Sequence, residues 1–144
     1  MPSATKPAIY FFFETPVTLK DRTGIKKLIA SVFRKEGKKL GSLNYIFCTD
    51  KRLLKINQDF LKHDYYTDII TFELSPKGLP IEGEIYISVD RVKENAITEE
   101  TSFKQELLRV ILHGALHLSG YKDKTAAQVK LIRQKEEFYL SNFS

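Results

Sequence analysis

Residues 102–123 read SFKQELLRVILHGALHLSGYKD. Its composition predicts a helix through Leu118, with leucines, Val110 and Ile111 supplying the apolar faces and Gly120 placed as the stop. His113 and His117 are four residues apart, a spacing that sets both imidazoles on one helix face. Gly120 can reverse the chain in a left-handed conformation and bring Asp123 back towards the two rings. Two imidazoles, one carboxylate and a water make a catalytic metal geometry. A histidine pair at this spacing is also compatible with a packed core or a helix-end hydrogen-bonding pair; the glycine stop and the returning carboxylate favour the metal.

Upstream, the pattern reads β-α-β-α. Residues 9–15 (IYFFFET) are aromatic and β-favouring and close at Pro16. Thr23 then opens a helix in which Ile25, Leu28, Ile29 and Phe33 recur at helical spacing. Residues 42–49 (SLNYIFCT) form a second strand, and Asp50 caps a second helix carrying Leu53, Leu54, Ile56 and Phe60. Residues 67–72 (TDIITF) and 84–88 (EIYIS) flank a turn segment and are predicted to pair antiparallel. Helices are expected over 90–97 and 125–143, on either side of the histidine helix. The outcome is one α+β domain spanning 1–144, a small mixed sheet of about four strands packed by about five helices, with the chemistry on a late helix and the turn after it.

Composition sets the outer bounds. A chain of 144 residues with 42% hydrophobic and 28% charged residues can bury a core and lacks the signature of disorder. The net charge of +5 favours polyanionic partners such as nucleic acid. The single cysteine, Cys48, cannot close an intramolecular disulfide and suits a reducing compartment. The apolar stretch at residues 9–13 is too short for a signal sequence, and no run approaches the roughly 20 apolar residues of a membrane span, so a cytoplasmic protein is expected.

The H-x3-H-x2-G-x2-D layout is close to the metzincin protease pattern, but Gly114 stands where the protease keeps its glutamate and Asp123 stands in for the third histidine. Without that glutamate, peptide hydrolysis of the zincin type lacks its proton acceptor. The motif instead resembles that of the YbeY-type endoribonucleases, H-G-x-L-H-L-x-G-Y-D-H, matched in place by His113, Gly114, Leu116, His117, Leu118, Gly120 and Tyr121. Residues 67–72 look like that family's T-[DN]-V-L-S-F strand, and residues 83–88 (GEIYIS) like its G-D-I-x-I-S strand. Together the likeness spans roughly residues 45–140.

The chain departs from the pattern at two places. The family's third histidine aligns with Asp123, with Lys122 in place of the usual aspartate, which makes the site harder and more negative. An arginine before the T-[DN]-V-L-S-F strand aligns with Leu61, so its phosphate-binding role does not carry over; the neighbouring Lys62 is a possible substitute. The resemblance implies metal-dependent, single-strand-directed endonuclease action in ribosomal RNA maturation at the 16S 3′ end and in ribosome quality control, with the small ribosomal subunit as partner. It implies one zinc ion or a similar divalent metal on His113, His117 and Asp123, polarising a phosphoryl oxygen and activating water. Asp68 and Glu84 are candidates to line the cleft or bond a ligand imidazole, and Lys62, Lys122 and Lys124 to contact RNA; runs such as the lysines at 38–39 read as solvated faces. No general base is visible in the motif. The rival readings are a ribosome-associated RNA-binding assembly factor whose structural metal is closed by a fourth ligand, His63 being the spare histidine, and a metalloprotease.

Overall fold

The computed structural model describes residues 7–63 and 66–143. Its elements run β1 (Ala8–Phe13), α1 (Arg22–Lys35), β2 (Leu40–Cys48), α2 (Asp50–Leu61), β3 (Ile69–Glu73), β4 (Ile81–Ser88), α3 (Val89–Thr98), α4 (Phe103–Leu118) and α5 (Ala126–Ser141). The expected α+β class, a mixed sheet of four strands with five helices, is what the described residues form. Two helix starts differ from the sequence reading. α1 begins at Arg22, capped by Asp21 rather than opened by Thr23; Asp21 sits at φ 54°, a left-handed conformation that aspartate tolerates, and accepts the Gly24 N–H at 3.1 Å. α2 is capped by Thr49, whose hydroxyl accepts the Arg52 N–H, while Asp50 is the first helical residue, where its charge suits the helix dipole.

The strand order is β1-β2-β4-β3. β1 and β2 are parallel, as are β2 and β4, each pair joined through intervening helix; β3 pairs antiparallel with β4 as expected and forms the sheet edge opposite β1. One sheet face carries Leu43, Tyr45, Phe47, Ile85 and Ile87 and packs with α1, α3, α4 and α5 in the main core. The other is covered in part by α2 through a small cluster of Cys48, Leu53, Ile56 and Ile70.

α4 is the central helix, buried on most sides, and the Tyr45 hydroxyl donates to the Ile111 carbonyl at 2.9 Å to fix it on the sheet. Its close approach requires Gly114. A Cβ there would lie 2.8 Å from Ile85 Cδ1 and 3.1 Å from Ile69 Cδ1, so the glutamate of the protease pattern has no room at this position.

Candidate metal centre

The end of α4 decides where Asp123 goes. Gly120, at φ 111°, donates to the His117 carbonyl, and the Tyr121 N–H donates to the Leu116 carbonyl, each at 3.0 Å; this is the Schellman arrangement that turns a chain back across its own helix. The Tyr121 hydroxyl donates to Glu36 Oε1 at 2.7 Å, and Tyr139 donates to the other oxygen at 2.5 Å, which ties the turn to the end of α1 and to α5. Two residues beyond Asp123, Thr125 and Gln128 form a capping box that opens α5. Asp123 is therefore held between two anchored points although its side chain is 41% exposed.

The expected trio is brought together. Asp123 Oδ2 lies 3.3 Å from His113 Nε2 and 3.2 Å from His117 Nε2, and one donor atom from each residue falls within 4.8 Å of the others. Two imidazole nitrogens and one carboxylate oxygen, converging from a helix face and the turn after it, fit a borderline divalent ion such as zinc. Among the described residues the group numbers three, and His63 lines the same cleft without joining it. An ion held by three protein donors would keep a coordination position for water, as ions in catalytic sites do.

Behind His113 stands a residue that sequence reasoning missed. Glu136 of α5 is 1% exposed, and its Oε2 lies 2.6 Å from His113 Nδ1. An ionised carboxylate only accepts, so Nδ1 carries the hydrogen and Nε2 is left to face Asp123. Burial alone would push the Glu136 carboxyl up, but the bond to and charge of His113, with Arg109 alongside, hold it below the usual carboxylate range. Burial would likewise depress His113; the hydrogen bond and charge of Glu136, then Asp123 and Asp68, hold it above its ordinary value. Arg109 donates to Glu136 Oε1 at 3.0 Å and clasps the buried Glu106 with Nε and Nη2. Burial opposes the charge of this guanidinium too, and its two glutamate partners outweigh it.

The cleft has a volume of about 780 Å³ and runs between β3 and α4. β3 offers more than side chains. The Leu74 N–H bonds to the Glu82 carbonyl and the Ser88 N–H to the Asp68 carbonyl, so the alternate residues Ile69, Thr71 and Glu73 turn their backbone groups outward along the free sheet edge, and all three line the cleft. Asp68 also lines it, with Oδ2 accepting from Asn95 Nδ2 at 3.0 Å. Glu84 does not. It alternates with Gly83 and Ile85 onto the opposite sheet face, where Oε1 accepts from the Tyr86 hydroxyl at 3.3 Å. Lys124 lines the cleft, Lys122 lies on an adjoining concavity, and Lys62 caps α2 with Nζ bonded to the Asp59 carbonyl, outside the cleft lining. Leu61 lines the cleft at the position that aligns with the arginine.

Residues 14–144 match the family model described as Endoribonuclease YbeY. A protein named Endoribonuclease YbeY from Cytophaga hutchinsonii is 50% identical over 134 residues, covering 92% of this chain and 94% of that protein. Another of the same name from Flavobacterium psychrophilum is 45% identical, covering 94% of this chain and 96% of its own length. The solution structure of TM1509 from Thermotoga maritima is 29% identical and superposes with a TM-score of 0.60 over 93% of this chain and 86% of that one.

Proposed function

Since the chain belongs to the YbeY endoribonuclease family, we propose that it is a metal-dependent endoribonuclease that cuts single-stranded ribosomal RNA. Its place of action is the cytoplasm, in maturation of the 16S 3′ end and in quality control of the small ribosomal subunit. No described helix is long and apolar enough to cross a membrane. The observation that carries the proposal is the convergence of His113, His117 and Asp123 at the wall of a cleft with a free strand edge opposite.

His113, His117 and Asp123 would hold one zinc ion, which when bound would supply Lewis acidity towards a phosphoryl oxygen and water. The protein's own residues do the rest. Glu136 fixes the His113 tautomer and ring orientation, and Arg109 with Glu106 keeps Glu136 ionised and in place. Asp123 brings one more negative charge than a third imidazole, and Lys124 beside it offsets that charge for an incoming phosphodiester. The outward backbone groups of Thr71 and Glu73 offer donors and acceptors to unpaired nucleotides, which a base-paired helix cannot present in the same way.

The test is cleavage of a labelled single-stranded RNA by the purified protein, with its duplex as control. Loss of cleavage on chelation and its return with added zinc support the proposal. Cleavage that persists in excess chelator, or equal cutting of the duplex, contradicts it.

A further inference from the structure

A second concavity of about 970 Å³ opens beyond His117. Its walls come from three segments far apart in sequence: the turn at 37–39 between α1 and β2, the β3–β4 loop at 75–81, and the turn at 119–122 after α4. These bring together Lys38, Lys39, Lys77 and Lys122, with Glu73 the one lining carboxylate among the described residues. All four lysines are exposed, and none shares an ion pair or side-chain hydrogen bond with another described residue. Elsewhere Lys55, Arg91, Arg109 and Lys135 are each paired with a carboxylate. Glu73, His117 and Leu118 line this concavity and the metal cleft alike, so the two are continuous.

We infer that this lysine groove is the track along which the RNA backbone continues on one side of the scissile phosphodiester. The inference rests on the endoribonuclease reading and extends it from the cleavage point to the flanking nucleotides. Four unpaired like charges repel one another in the free protein, and a polyanion relieves that repulsion by releasing counterions. Lysines act as point charges on flexible stems, suited to phosphates whatever the bases between them. Tyr121, half-buried and fixed through its hydroxyl to Glu36, adds an aromatic ring to the lining on which a base can stack.

The variant Lys38→Gln/Lys39→Gln/Lys77→Gln leaves the metal ligands and the cleft intact. The control Lys27→Gln/Lys51→Gln/Lys93→Gln removes the same charge from exposed positions outside the groove. Binding of a labelled single-stranded RNA is followed by anisotropy across a salt series, with zinc content and cleavage kinetics measured on the same samples. At about 0.7 per phosphate contact, the groove variant should lose roughly 2 from the slope of log K against log salt and weaken roughly 50-fold at about 0.15 M salt. Its KM should rise while kcat and zinc content hold, and the control should keep the wild-type slope. A groove variant with the wild-type slope and KM, or a control that loses as much, overturns the track while leaving the nuclease intact. A wild-type protein that holds zinc yet neither binds nor cuts RNA removes the endoribonuclease reading and the track with it.

Discussion

Replacing Glu136 by glutamine keeps the shape of the side chain and removes the charge that orients His113. The wild-type carboxylate is 1% exposed, 2.6 Å from His113 Nδ1 and 3.0 Å from Arg109 Nη1. Glutamine can still accept from Nδ1 through its carbonyl oxygen, but it can equally present its amide, and it no longer raises the basicity of the ring. Loss of such a partner lowers metal affinity by about 10–100-fold, or about 1.4–2.7 kcal/mol. Arg109 keeps Glu106, so the fold should lose less than the roughly 3–5 kcal/mol of a fully broken buried pair. The assay is zinc titration against a chromophoric chelator, with thermal unfolding of the metal-free protein beside it. Glu84→Gln, on the opposite sheet face, is the matched control and should leave affinity unchanged. Equal affinities for wild type and Glu136→Gln, or an equal loss in Glu84→Gln, would refute the role given to Glu136.

Three further outcomes follow from the packing. Burial pushes the Glu36 carboxyl up, but the hydroxyls of Tyr139 and Tyr121 and the charge of Lys135 hold it lower than usual; its stabilisation is therefore present above the unfolded value near 4.5 and lost as pH falls through the folded one, so Glu36→Gln should be less stable at neutral pH and should flatten the loss below about pH 5 in denaturant melts. Gly114→Ala should cost about 1–3 kcal/mol in urea unfolding, because the new Cβ meets Ile85 and Ile69 and only part of that is offset by helix propensity. Burial, with the charge of Glu14, pushes the Cys48 thiol up to about 12, so it should resist thiol-specific reagents in the native protein and react once denaturant is added.

Much of the fold was legible because local signals agreed: a short β-branched run at 69–71, apolar spacing in α1 and α2, and Gly120 as the stop of α4. The meeting of His113, His117 and Asp123 was legible for the same reason, since helix spacing and one turn suffice to gather them. The order β1-β2-β4-β3 was not, because periodicity within strands carries no information about their neighbours. Glu136 lies 23 positions from His113 and belongs to no motif. Its signal was nonetheless in the sequence: with Ile132 and Tyr139 it falls at i, i+4 and i+7 on the buried face of α5, where an acidic residue demands a partner. The lysines at 38–39 read as a solvated face because only the tertiary fold sets them beside Lys77 and Lys122.

The most direct test is the metal content of purified wild type, His117→Ala and Asp123→Ala by elemental analysis, with RNA cleavage measured on the same preparations. Near-stoichiometric zinc in wild type, lost together with cleavage in both variants, is the expected result and makes Asp123 a ligand in place of the third histidine. Metal retained at full occupancy in Asp123→Ala, or none in wild type that still cuts RNA, would contradict the three-residue centre.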